Sequence, residues 1–143
     1  MQNYFLPPRI EFGDGAIQNL GEHVKAFGGK RPLLVSDAGV INAGILAKAI
    51  DALNASDLTH ATYSDIEPNP TDLSINDGVE RYKSEACDVV IAVGGGSVMD
   101  AAKAIRLLTT HAPPLEPYYA DVGGIERIRD DMPPLVCLSL IHI

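Results

Sequence analysis

Residues Cys87 to Leu108 read C-D-V-V-I-A-V-G-G-G-S-V-M-D-A-A-K-A-I-R-L-L: an apolar run, three consecutive glycines, then apolar residues at helical spacing. Asp88 to Val93 is short and, after Asp88, continuously apolar, as expected of a strand covered on both faces. Val98, Ala101, Ala102, Ile105 and Leu108 recur every three or four residues, which predicts a helix with one face buried. The chain thus passes from strand to helix through Gly94-Gly95-Gly96. Such a junction suits a phosphate. Residues without a Cβ let an anion approach the backbone, and the helix start supplies unpaired N–H groups and the positive end of its dipole. A tight turn alone commonly needs one glycine, so the triplet reads as a binding element.

Working outward, the same alternation repeats. Asp14 can cap a helix carrying Ile17, Leu20, Val24 and Phe27, which Gly28-Gly29 would end in a left-handed exit. Pro32 to Ser36 is a second buried-strand run, stopping at Asp37-Ala38-Gly39, and a helix through Leu46, Ile50 and Leu53 follows. Thr59 to Ser64 predicts a further strand. Ile66 to Thr71 must be a loop, because its prolines fix φ and remove donors. Thr71 or Asp72 then caps a helix bearing Leu73, Ile75, Val79 and Tyr82. His111 to Asp131 is loop-like, and a last apolar run starts at Pro134.

Strands alternating with helices imply parallel strands joined by right-handed crossovers, an α/β fold with an open, mainly parallel sheet of Rossmann type. Asp37, the Pro68–Thr71 loop and Gly94–Ser97 each follow an expected strand, so all three are expected at the carboxyl edge of the sheet, where ligands bind. The 143 residues, 46% of them hydrophobic, suit one folded domain. A net charge of −8 with 11 Lys+Arg argues against nucleic acid or an anionic membrane as partner. No apolar run reaches membrane-spanning length and no leader pattern opens the chain, so a cytoplasmic protein is expected. Cys87 and Cys137 lie in or beside apolar runs and read as buried free thiols.

Each chemistry-bearing residue has a plain reading beside the functional one. The triplet matches neither a P-loop, lacking Gly-Lys-Ser/Thr, nor G-x-G-x-x-G, since Ser97-Val98-Met99 follows Gly96. Ser97 and Asp100 have the S-x-x-D spacing of a helix cap, a role that leaves Ser97 free to meet an anion as well. Lys103, three residues after Asp100, can form a surface ion pair of little energetic weight. Asp37 stands where dinucleotide folds set an acid against ribose hydroxyls and repel a 2′-phosphate, favouring NAD over NADP; spacing alone fits a turn before Gly39 equally. Asn69, between two prolines, presents a side-chain amide rigidly, although a Pro-Asn-Pro turn is the commoner explanation. His23, His60, His111 and His142 show no metal-ligand spacing, so no metal site is expected within the chain.

Four segments together resemble the N-terminal nucleotide-binding domain of iron-containing (group III) alcohol dehydrogenases. They are Phe12–Ala16, Leu33–Gly39, Glu67–Thr71 and Gly94–Lys103, within a likeness running from about Phe5 to Cys137. The resemblance implies NAD(P)-dependent interconversion of alcohols with aldehydes or ketones by hydride transfer. It implies that Asp37 holds the adenine ribose, that Asn69 lies near the cofactor, and that Gly94, Gly95, Gly96 and Ser97 cradle the pyrophosphate. Asp100 and Lys103 would line the adjoining cleft. In the full-length family enzyme an all-helical domain supplies the iron or zinc site and the alcohol pocket, and homodimers form through the N-terminal region, Tyr4 to Phe12. Residues 138–143 depart from the family pattern. The expected organisation is therefore a dinucleotide domain over residues 1–137 and a tail from truncation or frameshift, inactive by itself on alcohols. A stand-alone nucleotide-binding module and a fragment of a dehydroquinate synthase or glycerol dehydrogenase are the competing readings; Ser97–Lys103 fits the alcohol dehydrogenase pattern better.

Overall fold

Every residue of the two strands that lead to the expected ligand edge is buried. In the computed structural model, which describes residues 9–140, these strands are β1 (Pro32–Val35) and β3 (Val89–Gly94). Two further strands, β2 (Ala61–Tyr63) and β4 (Leu135–Ser139), complete a parallel sheet of order β2-β1-β3-β4. Val35 pairs with Tyr63 on one side and with Ala92 on the other. Tyr4 to Pro8 of the segment expected to pair across subunits, and His142, lie outside the described residues.

Both faces of the sheet are covered, which is why β1 and β3 carry no polar alternation. On one face Leu34, Val89, Ile91 and Val93 pack against α1 (Leu20–Ala26), α2 (Ala38–Asn42) and α3 (Ile45–Asn54). On the other, Leu33, Val35, Val90 and Ala92 pack against α4 (Asp72–Ser84) and α5 (Gly96–Leu108). Gly78 sits where those two helices meet: a Cβ there would stand 2.4 Å from Cδ1 of Ile105, so only glycine permits the approach. The result is the α/β, doubly wound architecture that the alternation predicted.

The differences from expectation have local causes. Asp14 caps nothing. A 3₁₀ turn at Ala16–Asn19 precedes α1, opened by Gly15 at φ 78°. The helix expected through Leu46, Ile50 and Leu53 is α3, and a short helix that was not expected, α2, precedes it, separated from it by Gly44 at φ 73°. Leu73 is exposed, not part of the apolar face, since the face of α4 turned to the sheet is set by Ile75 and Val79. Cys87 is buried but Cys137 is exposed. Cys137 lies on β4, the edge strand, on the face shared with Leu135, where the cover provided by α5 runs out. β4 itself continues through Leu138 and Ser139, which pair with Val93 and Gly94.

The stretch from His111 to Asp131 has no long element, yet it is ordered by three 3₁₀ turns and one histidine. His111 is 4% exposed and accepts the Arg129 N–H at Nε2 over 2.8 Å. Its Nδ1 must then carry the proton, lying 3.0 Å from the Leu107 carbonyl and 2.9 Å from the Thr110 hydroxyl. An edge-on contact with Tyr118 completes the fastening of this segment to the end of α5.

Candidate functional site

The carboxyl ends of β1 and β3 are neighbours at the point where the strand order reverses, with β2 beyond one and β4 beyond the other. In open α/β sheets a crevice forms at such a switch point, and ligands occupy it. β1 delivers Asp37 to this place, and β3 delivers Gly94 to Ser97.

The glycines are not equivalent. Gly94 is the last residue of β3, and a Cβ on it would stand 2.7 Å from Cβ of Val98, so its absence lets the first turn of α5 fold back onto the strand. Gly95 and Gly96 have nothing within 4 Å of where a Cβ would stand. Gly95 is extended at φ −84°, ψ −164°, a conformation open to other residues. The fold's own packing therefore requires glycine at 94 and gives no reason for it at 95 or 96. Space is left there, in front of the helix start.

That helix start is electrically open. Gly95 is the N-cap, no side chain caps the helix, and the first ladder bond runs from Met99 N–H to the Gly95 carbonyl at 3.0 Å. The N–H groups of Gly96, Ser97 and Val98 thus precede the ladder and have the open space before them. With the helix dipole behind them, they form an anion-binding end. Ser97 does not cap, contrary to its S-x-x-D spacing with Asp100. β3 runs through Gly94 and leaves Gly95 as the sole connector, so Ser97 is already inside the helix.

Asp100 and Lys103 pair with each other at 3.2 Å, both well exposed, as the spacing predicted. They lie about 6 and 10 Å along the axis from Gly96, at 1.5 Å per residue, and so stand back from the helix end. Asp37 is half-buried and extended, and its Oδ1 accepts the Val40 N–H at 2.9 Å, capping α2. A Cβ at Gly39 would come within 3.1 Å of that same oxygen. The turn-forming role is thus real, and it holds the carboxylate in a fixed direction. Asn69 is exposed in the loop after β2, with a left-handed φ of 59°, a conformation that asparagine tolerates. The sheet order puts the strand that leads to it beside β1. The Pro68–Thr71 loop ends where the Thr71 hydroxyl accepts the Ser74 N–H at 3.3 Å and Ser74 Oγ accepts the Thr71 N–H at 3.1 Å.

One residue at this edge gave no signal in the sequence beyond its place in a motif. Ser36 is fully buried, and its hydroxyl donates to the Val93 carbonyl at 2.9 Å. A small polar residue ending an apolar run is common enough that only the fold distinguishes it.

The chain matches the family model described as iron-containing alcohol dehydrogenase over residues 7–142. It belongs to that family. It is 36% identical to the 1,3-propanediol dehydrogenase of Citrobacter freundii over 141 residues, covering 97% of this chain and 35% of that protein. It is 38% identical to the choline dehydrogenase of Bacillus subtilis (strain 168), covering 93% of this chain and 33% of that one. Among solved structures it superposes on 1,3-propanediol oxidoreductase with a TM-score of 0.87 at 35% identity, covering 97% of this chain and 35% of the other. It superposes on sulfoacetaldehyde reductase from Bifidobacterium kashiwanohense, a complex with NAD+, with a TM-score of 0.80 at 25% identity, covering 96% and 35%. The chain thus spans about a third of the length of these relatives.

The family name implies iron. Among the described residues no group of three or more His, Cys, Asp or Glu side chains converges, so they do not supply a fitting donor set. Nor, among the described residues, is any helix long and apolar enough to cross a membrane.

Proposed function

We propose that this chain is the dinucleotide-binding portion of an NAD-dependent dehydrogenase that interconverts small alcohols with aldehydes or ketones. The observation that carries this is the open space at Gly95 and Gly96 before the uncapped start of α5. A pyrophosphate would sit there. Its oxygens would accept from the N–H groups of Gly96, Ser97 and Val98, in bonds strengthened by the ligand's charge. Asp37, held by Val40 N–H through Oδ1, would accept from a ribose hydroxyl and repel a 2′-phosphate, which favours NAD over NADP. Asn69 would lie beside the cofactor from the β2 side. Asp100 and Lys103 would line the rim, Lys103 shared with Asp100. Bound NAD would supply the hydride acceptor; this chain's residues would bind and orient it.

The test is calorimetric titration of the chain with NAD and with NADP. Binding of neither would refute the proposal. Asp37→Ser keeps an acceptor for the α2 cap while removing the charge, so NADP should gain on NAD. An unchanged preference would remove Asp37 from the ribose site.

A further inference from the structure

Ser36 is one of two buried polar side chains among the described residues, with no exposure at all. His111, the other, fastens a segment at the far end of α5. Ser36 stands one residue beyond β1, outside the ladder, and uses both of its donors across the sheet. Its backbone N–H donates to the Tyr63 carbonyl of β2 at 2.9 Å, and its hydroxyl donates to the Val93 carbonyl of β3 at 2.9 Å.

Each strand that it touches or ends leads into one piece of the candidate site. β2 leads to the loop with Asn69, β1 to Asp37 immediately after Ser36, and β3, one residue past Val93, to Gly94–Gly96. The hydroxyl adds a cross-link where the ladder between β1 and β3 stops: the last register pair is Val35 with Ala92. Beyond that pair, the carboxyl ends of the two strands would be free to splay.

We infer that Ser36 is a positioning residue for a dinucleotide, fixing the separation between Asp37 and the Gly94–Gly96 cradle. This rests on the dinucleotide reading above. A ligand that spans two half-sites gains affinity when their spacing is fixed beforehand, whereas a ligand filling one half-site gains nothing from it. The hydroxyl therefore acts on NAD and not on its pieces.

The experiment uses the 143-residue chain with three probes: NAD, adenosine for the Asp37 side, and inorganic pyrophosphate for the glycine side. Ser36→Ala removes the donor, and the nearly isosteric Ser36→Cys keeps a weak one in case the alanine variant folds poorly. NAD affinity should fall by about tenfold in Ser36→Ala and by less in Ser36→Cys, with adenosine and pyrophosphate unchanged. A parallel loss for all three probes would mean that Ser36 merely supports the fold, and an unchanged NAD affinity would mean that it positions nothing; either overturns the inference. Failure of NAD to bind the unaltered chain would instead defeat the functional proposal itself.

Discussion

Replacing Gly94, Gly95 and Gly96 one at a time by alanine should separate folding from binding within three adjacent residues. At Gly94 the new methyl would stand 2.7 Å from both Cβ and Cγ2 of Val98, inside van der Waals contact with a side chain that is 1% exposed. The strand or the helix must shift, and overpacking of this kind costs about 1–3 kcal/mol. At Gly95 and Gly96 the methyl meets nothing within 4 Å. Alanine improves helix propensity by about 0.5–1 kcal/mol at Gly96, whereas at Gly95, the N-cap, a gain of about 0.4–1 kcal/mol from the less free unfolded chain is offset by alanine's poorer capping, so stability there should change little. Urea unfolding reads these differences directly, and in thermal melts each kcal/mol should appear as roughly 3 °C. NAD titration should give the opposite order. Gly95→Ala and Gly96→Ala place a methyl where the phosphate would sit. Each bond lost between a backbone N–H and the phosphate is worth about 1.5–3 kcal/mol, or about ten- to a hundredfold in Kd. Gly95→Ala and Gly96→Ala variants that fold and bind NAD as tightly as the unaltered chain would refute the cradle. A Gly94→Ala variant of unchanged stability would refute the packing argument.

The remaining predictions concern stability and reactivity. His111→Phe keeps a ring against Tyr118 but strands the Arg129 N–H, and should cost about 1–3 kcal/mol by urea unfolding while leaving NAD binding intact. Burial pushes Tyr63 and Tyr82 up to about 12 and the Cys87 thiol up to about 11, from ordinary values of 10.0 and 9.0. The folded chain keeps these protons where the unfolded chain loses them. Their contribution is thus complete below about pH 9 and falls away towards pH 12; the urea midpoint should drop across that window, and less steeply in Tyr82→Phe. The Arg31 side-chain hydrogen bond, with the charge of Arg81 beside it, holds the Glu85 carboxyl below its usual range, so its stabilisation is present at neutral pH and lost on acidification, a loss that Arg31→Met should reduce. In a thiol-labelling time course Cys137 should react well before Cys87. Partial desolvation raises its thiol too, but Lys103 and Arg106 oppose that and the residue is exposed.

Local sequence was a good guide wherever one interaction range decided the outcome. The short unbroken apolar runs, bounded by glycine and proline, matched strands covered on both faces, and the three-to-four spacing around them matched helix, so alternation and parallel order followed. The cap of α4 was legible to within two residues, Thr71 or Asp72, and the structure selects Thr71, whose partner Ser74 is three residues away. The Ser97-x-x-Asp100 pattern misled because it cannot report where β3 ends; pairing with β4 carries the strand through Gly94, which leaves Gly95 as the N-cap and starts the helix at Gly96. Cys137 misled for a similar reason, since an edge position is a property of the whole sheet.

By itself, then, the sequence determined the periodicities, and with them the layer architecture and the Cβ-free junction before α5, because those depend on neighbours within about four residues. Tertiary structure alone decided which glycine serves the fold and which leave space, since that turns on where Val98 comes to rest. It also decided that Ser36 bonds to β2 and β3 at once: its partners, Tyr63 and Val93, are far away along the chain, and only pairing of the strands brings them to a single serine.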